Sequence, residues 1–208
     1  MKMKQLTAGM IALVMSMSLP MTTYAADWDL EDGSITVDAG DSGQTVTQGS
    51  TSTPDEAPVI TQRDSSAETS NTITINASEN ATANVTIKDI NIKSSNDAID
   101  VTGSSSANIT LEGDNKIFSE TGSALHISDG NVTINGSGSL KAEIQDEPSG
   151  YNHNAKIGSH ENEDMSGSIH ITGDATVKTD DNTASDCGGD GAGIGSGEKG
   201  EMSGNIVI

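Results

Sequence analysis

Aromatic side chains are nearly missing: one Trp, two Tyr and one Phe in 208 residues. Rings supply much of the apolar mass of a conventional globular core, so any core here has to be assembled from aliphatic side chains. Cysteine is reduced to Cys187, which excludes an intrachain disulfide framework and a CxxC metal site. Basic residues are also scarce, ten Lys and Arg against 31 Asp and Glu, giving a formal charge of −21 and a pI near 4.1. That balance argues against nucleic acid and anionic membrane as partners, because both attractions need clustered Lys and Arg. High acidity with few rings is also the composition of a disordered chain. Regular strand-like triplets argue against disorder over the C-terminal two thirds.

Residues 1–25 read as a secretory signal peptide. Lys2 and Lys4 precede an apolar run centred on Ile11, Ala12, Leu13 and Val14, and Thr23 and Ala25 form a small-residue site for cleavage after Ala25. The run is shorter than the roughly 20 residues a membrane span requires, so no span is expected after cleavage. Removing two Lys and no acid leaves eight basic against 31 acidic residues, a mature charge of −23. The chain is therefore expected to be secreted, extracellular or at the cell surface, with Cys187 a free thiol or an intermolecular link.

Residues 26–70 are acidic and rich in Ser, Thr, Gly and Gln. They predict a short paired strand or cap around Ser34 to Val37, then a linker containing Pro54 and Pro58. Residues 71–208 form the repeat region. Alternating triplets recur at Ile73-Thr-Ile75, Val85-Thr-Ile87, Ile109-Thr-Leu111, Val132-Thr-Ile134, Ile169-His-Ile171 and Ile206-Val-Ile208. A period of two puts the aliphatic pair on one face and the middle residue on the other. A second series runs through Ile99 and Val101, Leu125 and Ile127, Ala155 and Ile157, Ala192 and Ile194. A third contains Ile117, Leu140 and Val177.

Three short strands per turn, turns of 23 or 24 residues, and longer turns of 37 made by insertion describe a parallel, right-handed β-helix solenoid. The competing all-β reading is an antiparallel sandwich, which also alternates every 8 to 12 residues. From Ala155 to Ile171 and again from Ala192 to Ile208, ten residues are identical at an offset of 37. The final triplet leaves a coil without a polar cap, which predicts a C-terminally truncated stretch of a longer solenoid.

The motifs Asn71-Thr-Ile-Thr-Ile75, Asn84-Val-Thr-Ile87, Asn108-Ile-Thr-Leu-Glu-Gly-Asp114 and Gly191-Ala-Gly-Ile-Gly-Ser196, behind a leader ending in Asp-Trp-Asp, carry a family resemblance. Over most of its mature length the chain resembles exported repeat proteins of gut Firmicutes, often labelled carbohydrate-binding-domain-containing or adhesin-like. It departs from their pattern at Asn154-Ala-Lys-Ile-Gly158, where Lys156 replaces a small residue. The resemblance implies a bacterial cell-surface adhesin, spacer or interaction module, with a glycan or surface component as partner.

Candidate chemistry is thin, and no catalytic residue is assigned. Arg63, the one Arg, falls in the expected linker, and no Asp/His cluster of the glycoside-hydrolase kind is evident. The expectation is a non-enzymatic protein; the alternative is a glycan-binding or polysaccharide-lyase-like β-helix. Asn-x-Ser/Thr sequences at Asn76, Asn80, Asn84, Asn108 and Asn131 read as turn residues entering strands. His126 and His170 occupy outward middle positions of strands, while His153 and His160 sit in loops, and all four read as surface residues. A transition-metal site would need two or three of them to converge, which the spacing neither requires nor forbids. Outward Thr86, Thr110 and Thr133 are expected to stack as a ladder on consecutive coils. No cofactor is implied except calcium, for which Asp180, Asp181, Asp186, Asp190, Glu161 and Glu198 are the candidates, since Glu161, Glu163 and Asp164 lie one coil below Glu198 and Glu201.

Overall fold

Strict alternation of aliphatic and polar residues builds strands with one buried face, and in the computed structural model those strands pair side by side. The structure describes residues 26–102, 106–145, 152–179 and 191–208. The expected leader, Tyr151, Cys187 and the calcium candidates Asp180, Asp181, Asp186 and Asp190 lie outside the described residues. In chain order the strands are β1 (Asp27–Asp29), β2 (Ile35–Gly40), β3 (Gly43–Gln48), β4 (Thr51–Pro54) and β5 (Val59–Thr61), with a single 3-10 turn at Leu30–Asp32. They continue as β6 (Ile73–Ala77), β7 (Thr82–Lys88), β8 (Asn91–Ser94), β9 (Ile99–Thr102), β10 (Ser106–Glu112), β11 (Asp114–Ser119) and β12 (Leu125–Ile127). The last are β13 (Asn131–Gly136), β14 (Ser139–Ile144), β15 (Ile157–Gly158), β16 (Ser168–Ile171), β17 (Thr176–Thr179), β18 (Ile194–Gly195) and β19 (Ile206–Val207).

Three sheets result: seven strands ordered β1-β5-β7-β10-β13-β16-β19, eight ordered β18-β15-β12-β9-β6-β2-β3-β4, and four ordered β17-β14-β11-β8. From β6 onward the chain visits the eight-, seven- and four-stranded sheets in strict rotation. Each strand pairs in parallel with the one from the previous visit. Among the described residues, antiparallel pairing is confined to β2–β3 and β3–β4, so the sandwich alternative is overturned.

Register stacks like on like. Val85, Ile109, Ile134 and Ile171 lie in one column of the seven-stranded sheet, and Ile73, Ile99, Leu125, Ile157 and Ile194 in one column of the eight-stranded sheet. The predicted inward residues Ile109, Leu111, Val132, Ile134, Leu125, Ile127, Ile169 and Ile171 are all buried in a single aliphatic cluster. One register differs from the sequence reading. Ile109 pairs with Ile134 and not with Val132, so Thr110 lies beside Asn135 and Thr133 beside Asn108. The expected Thr86–Thr110–Thr133 ladder therefore stops after Thr110. The shift by two keeps every side chain on its face, because the period along a strand is two. The third series shifts likewise: Ile117 pairs with Ala142, and Leu140 with Asn115.

The segment expected as cap and linker supplies strands to these same sheets. β1 and β5 extend the seven-stranded sheet, and β2 pairs in parallel with β6. Buried Trp28 donates its Nε1–H to Oδ2 of buried Asp55 at 3.0 Å, tying this region together. Arg63 pairs with Asp29 at 2.8 Å and with Glu31 at 3.2 Å.

Turn length varies mainly at two corners. Between the seven- and four-stranded sheets the connections are residues 89–90, 113, 137–138 and 172–175. The corners flanking the eight-stranded sheet lengthen instead, from 120–124 to 145–156 on one side and from 128–130 to 159–167 on the other.

Candidate functional site

The 159–167 insertion brings the chemistry together. Along the outer face of the eight-stranded sheet, Thr74, Asp100, His126, Gly158 and Gly195 occupy one register column. Gly158 has φ +139°, a backbone conformation that side chains rarely adopt, and it places no side chain above His126. The chain turns there, and the His160 ring lies parallel to the His126 ring with centroids 4.0 Å apart. The expectation of four surface His is corrected for His126: it faces outward, yet its side chain is only 11% exposed.

Carboxylates surround the stacked rings. His126 Nδ1 lies 2.8 Å from Asp100 Oδ1, and its Nε2 lies 2.9 Å from Glu163 Oε2. His160 Nε2 lies 2.7 Å from Asp97 Oδ1, which also accepts the Ser123 backbone N–H at 2.8 Å. Glu163 Oε2 accepts the His160 backbone N–H at 3.0 Å and lies 3.7 Å from the His160 Nδ1. With a carboxylate on each ring nitrogen, His126 is held as an imidazolium that donates on both sides. Burial works to lower its pKa, but the hydrogen bonds and charges of Asp100 and Glu163 together outweigh burial and push it up to about 9. Burial likewise tends to raise the carboxyl pKa values of Asp97 and Glu163. In Asp97 the hydrogen bond and charge of His160 win and lower it. In Glu163 the His160 N–H and the His126 imidazolium win and lower it.

One donor atom from each of Asp97, His126 and His160 lies within 4.8 Å of the other two. These three residues could hold a metal ion. The convergence that the spacing left open therefore occurs for two of the four His.

The remaining histidines and acids fall elsewhere. His153 Nδ1 contacts Glu198 Oε2, and the Glu198 backbone N–H donates to the His153 carbonyl at 2.8 Å. Glu161 Oε1 accepts from Lys199 Nζ at 3.0 Å, which holds its carboxyl below the usual range, and Glu198 lies 3.4 Å from the same ammonium. These two calcium candidates thus face cationic groups. His170 lies on β16 beside Thr133 and Val207.

A second feature occupies the four-stranded sheet. Lys116, Lys141 and Lys178 stack in one column of its outer face, with Lys93 beside Phe118 in the adjacent column. The Lys93 Nζ sits 5.6 Å from the Phe118 ring centroid, and Lys141 pairs with Glu143 at 3.0 Å. Four of the eight basic residues beyond the leader share this face. The spacings of 25 from Lys116 to Lys141 and 37 from Lys141 to Lys178 are the register offsets of this sheet, one residue or more from the 23 or 24 that the triplets suggest for the shorter turn. The signal for Asp97, Asp100 and Glu163 as partners of His was weak: at the offset of 37, His160 and Glu163 stand where Gly197 and Gly200 stand in the next copy.

No known family, curated protein or solved structure matches the chain.

Proposed function

We propose that this chain is an exported parallel, right-handed β-helix that works as a non-enzymatic surface module, a spacer or adhesin whose contacts are made by its flat outer faces. The observation that supports this reading is the parallel stacking of three sheets in strict rotation from β6 onward, with aliphatic columns inside and polar columns outside. In such a stack the strand N–H and C=O groups of a coil are tied to the coils on either side, which makes a short stiff rod. The leader-like start and the acidity of the chain fit export into a solvent where solubility matters. The expected mature chain begins at Ala26; N-terminal sequencing of the protein recovered outside the cell checks this.

A glycan-binding reading is favoured by one observation, the column of Lys116, Lys141 and Lys178. Like charges one strand apart repel, and a linear anionic polymer lying along the column would relieve that repulsion. Phe118 adds one aromatic face beside the column. The test is retention on immobilised polygalacturonate against a neutral glucan at several salt concentrations, with release of unsaturated products followed in the same samples. Salt-sensitive retention that falls in the Lys116→Gln/Lys141→Gln/Lys178→Gln variant, without product, fits an acidic-glycan contact. No retention leaves the spacer role alone, and robust turnover overturns the non-enzymatic reading.

A further inference from the structure

We propose that Asp97, His126 and His160 form a binding site for a divalent transition-metal ion of the zinc class, with Asp100 and Glu163 as the carboxylates that orient the imidazoles. Two imidazoles and a carboxylate make a mixed nitrogen and oxygen donor set, which suits zinc, nickel or copper and not the all-oxygen preference of calcium and magnesium. The three donor atoms already lie within 4.8 Å of one another. Metal bonds of about 2.0–2.2 Å hold ligand atoms closer together than this, so a side chain has to move on binding.

The supporting shell is also in place. Ligating imidazoles almost always hold a carboxylate or carbonyl on their other nitrogen, and His126 has Asp100 on one nitrogen and Glu163 on the other. On binding, one His126 nitrogen loses its proton to solvent and takes the ion, while the other keeps its carboxylate. Three carboxylates against two imidazoles leave the pocket negative once the rings are neutral, which favours a divalent cation.

The donors come from three successive visits to the eight-stranded sheet: Asp97 precedes β9, His126 lies within β12 and His160 follows β15. An ion there would clasp three coils across sequence separations of 29 to 63 residues. The next coil repeats this stretch with Gly197 and Gly200 in place of His160 and Glu163, so the ligand His160 and its neighbour Glu163 belong to one coil and not to the repeat.

Imidazole lone pairs lie in the ring plane, and parallel stacked rings cannot aim them at one point. One ring therefore has to turn. His160, on the inserted loop and 32% exposed, has the room, whereas His126 is locked between two carboxylates. Zinc binding should unstack the pair. The site requires only the stacked strands and the 159–167 loop, whatever compartment the chain occupies.

The test is titration of the tag-free full chain, stripped with chelator, with Zn²⁺, Ca²⁺ and Mg²⁺ by calorimetry, with the His ring signals followed by NMR. The expected result is one Zn²⁺ per chain, bound far more tightly than Ca²⁺ or Mg²⁺, with the His126 and His160 ring signals moving and those of His170 unmoved. His160→Gly, the residue found one coil on, and Asp97→Asn should each weaken Zn²⁺ by at least about tenfold. His170→Asn should leave it unchanged. Wild-type chain that binds Zn²⁺ no better than Ca²⁺, or ring signals of His126 and His160 that stay fixed, overturns the proposal whether or not the variants fold. Undiminished Zn²⁺ affinity in folded His160→Gly and Asp97→Asn overturns it equally.

Discussion

Deprotonating His126 should loosen the stack, and the size of the effect follows from its surroundings. Its pKa rises from the ordinary 6.5 to about 9 because the imidazolium donates to both Asp100 and Glu163. A group whose pKa is raised by folding contributes its full stabilisation below the unfolded value. That contribution is lost as pH climbs through the folded value. The window is therefore pH 6.5 to about 9. A rise of this size corresponds to roughly 3 kcal/mol at 1.36 kcal/mol per pH unit. The partner carboxylates are 32% and 35% exposed, so solvent screening reduces the expected loss to about 2 kcal/mol. The assay is urea unfolding followed by circular dichroism from pH 6 to pH 10, with chelator present, on wild type and His126→Gln. Only the difference between the two proteins matters, since other groups titrate in both. It should shrink by about 2 kcal/mol between pH 6 and pH 9.5. A difference that stays constant within a few tenths would refute the imidazolium between two carboxylates.

Three further outcomes test the frame around the site. Ile134→Ala, in the middle of a buried aliphatic column, should cost about 2–4 kcal/mol, while Thr133→Ser on the outer face of the same strand should cost under about 1 kcal/mol; equal losses in urea would show that the faces are misassigned. Gly158→Ala would put a Cβ 1.7 Å from the Gly195 carbonyl oxygen at a φ of +139°, and should lower stability by at least about 2 kcal/mol in thermal unfolding; a change below about 0.5 kcal/mol would refute the close approach. Asp55→Ala removes the acceptor for Trp28 Nε1 and for the Ala26 and Ala57 backbone N–H groups, and should cost about 1–3 kcal/mol with a red-shifted Trp28 emission; unchanged emission would contradict the buried pair.

Much of the frame was legible because a strand's period of two and a solenoid's turn length are both written directly in residue spacing. Ile73-Thr-Ile75 and its successors announced inward and outward faces, and the aliphatic pairs are buried from Ile73 and Ile75 through Ile169 and Ile171, whereas in the last triplet Ile206 is half-buried and Ile208 exposed. Register within a face was not legible: Val132 and Ile134 are both aliphatic and two residues apart, so either could sit beside Ile109 without exposing anything. The strands β1 and β5 were missed because Asp27–Asp29 and Val59–Thr61 are three residues long, too short to display a period. The His cluster was hidden for another reason. His126 looked exposed because its position in the triplet is outward, and only the fold shows that an insertion 34 residues later lies against it. Asp97 and Asp100 carry no local mark, since in a chain with 31 acids any two carboxylates look like solvated surface.

The placement of added length at two corners has a consequence for how such a chain can change over time. A residue inserted within a strand would shift every later side chain to the opposite face, and selection would remove it. A residue added in the connection after β14 or after β15 need not change the face on which the later strands present their side chains, since each of those strands is held by its own column. The frame thus behaves as a thread of fixed pitch that takes up extra length at two edges, and the 159–167 stretch is itself stitched down, Met165 N–H donating to the Glu201 carbonyl and Ser166 N–H to the Ser128 carbonyl. His160 and Glu163 are what one such stretch carries: an imidazole and a carboxylate laid over a neighbouring coil's histidine by a loop whose near copy, 37 residues on, has glycine at both places.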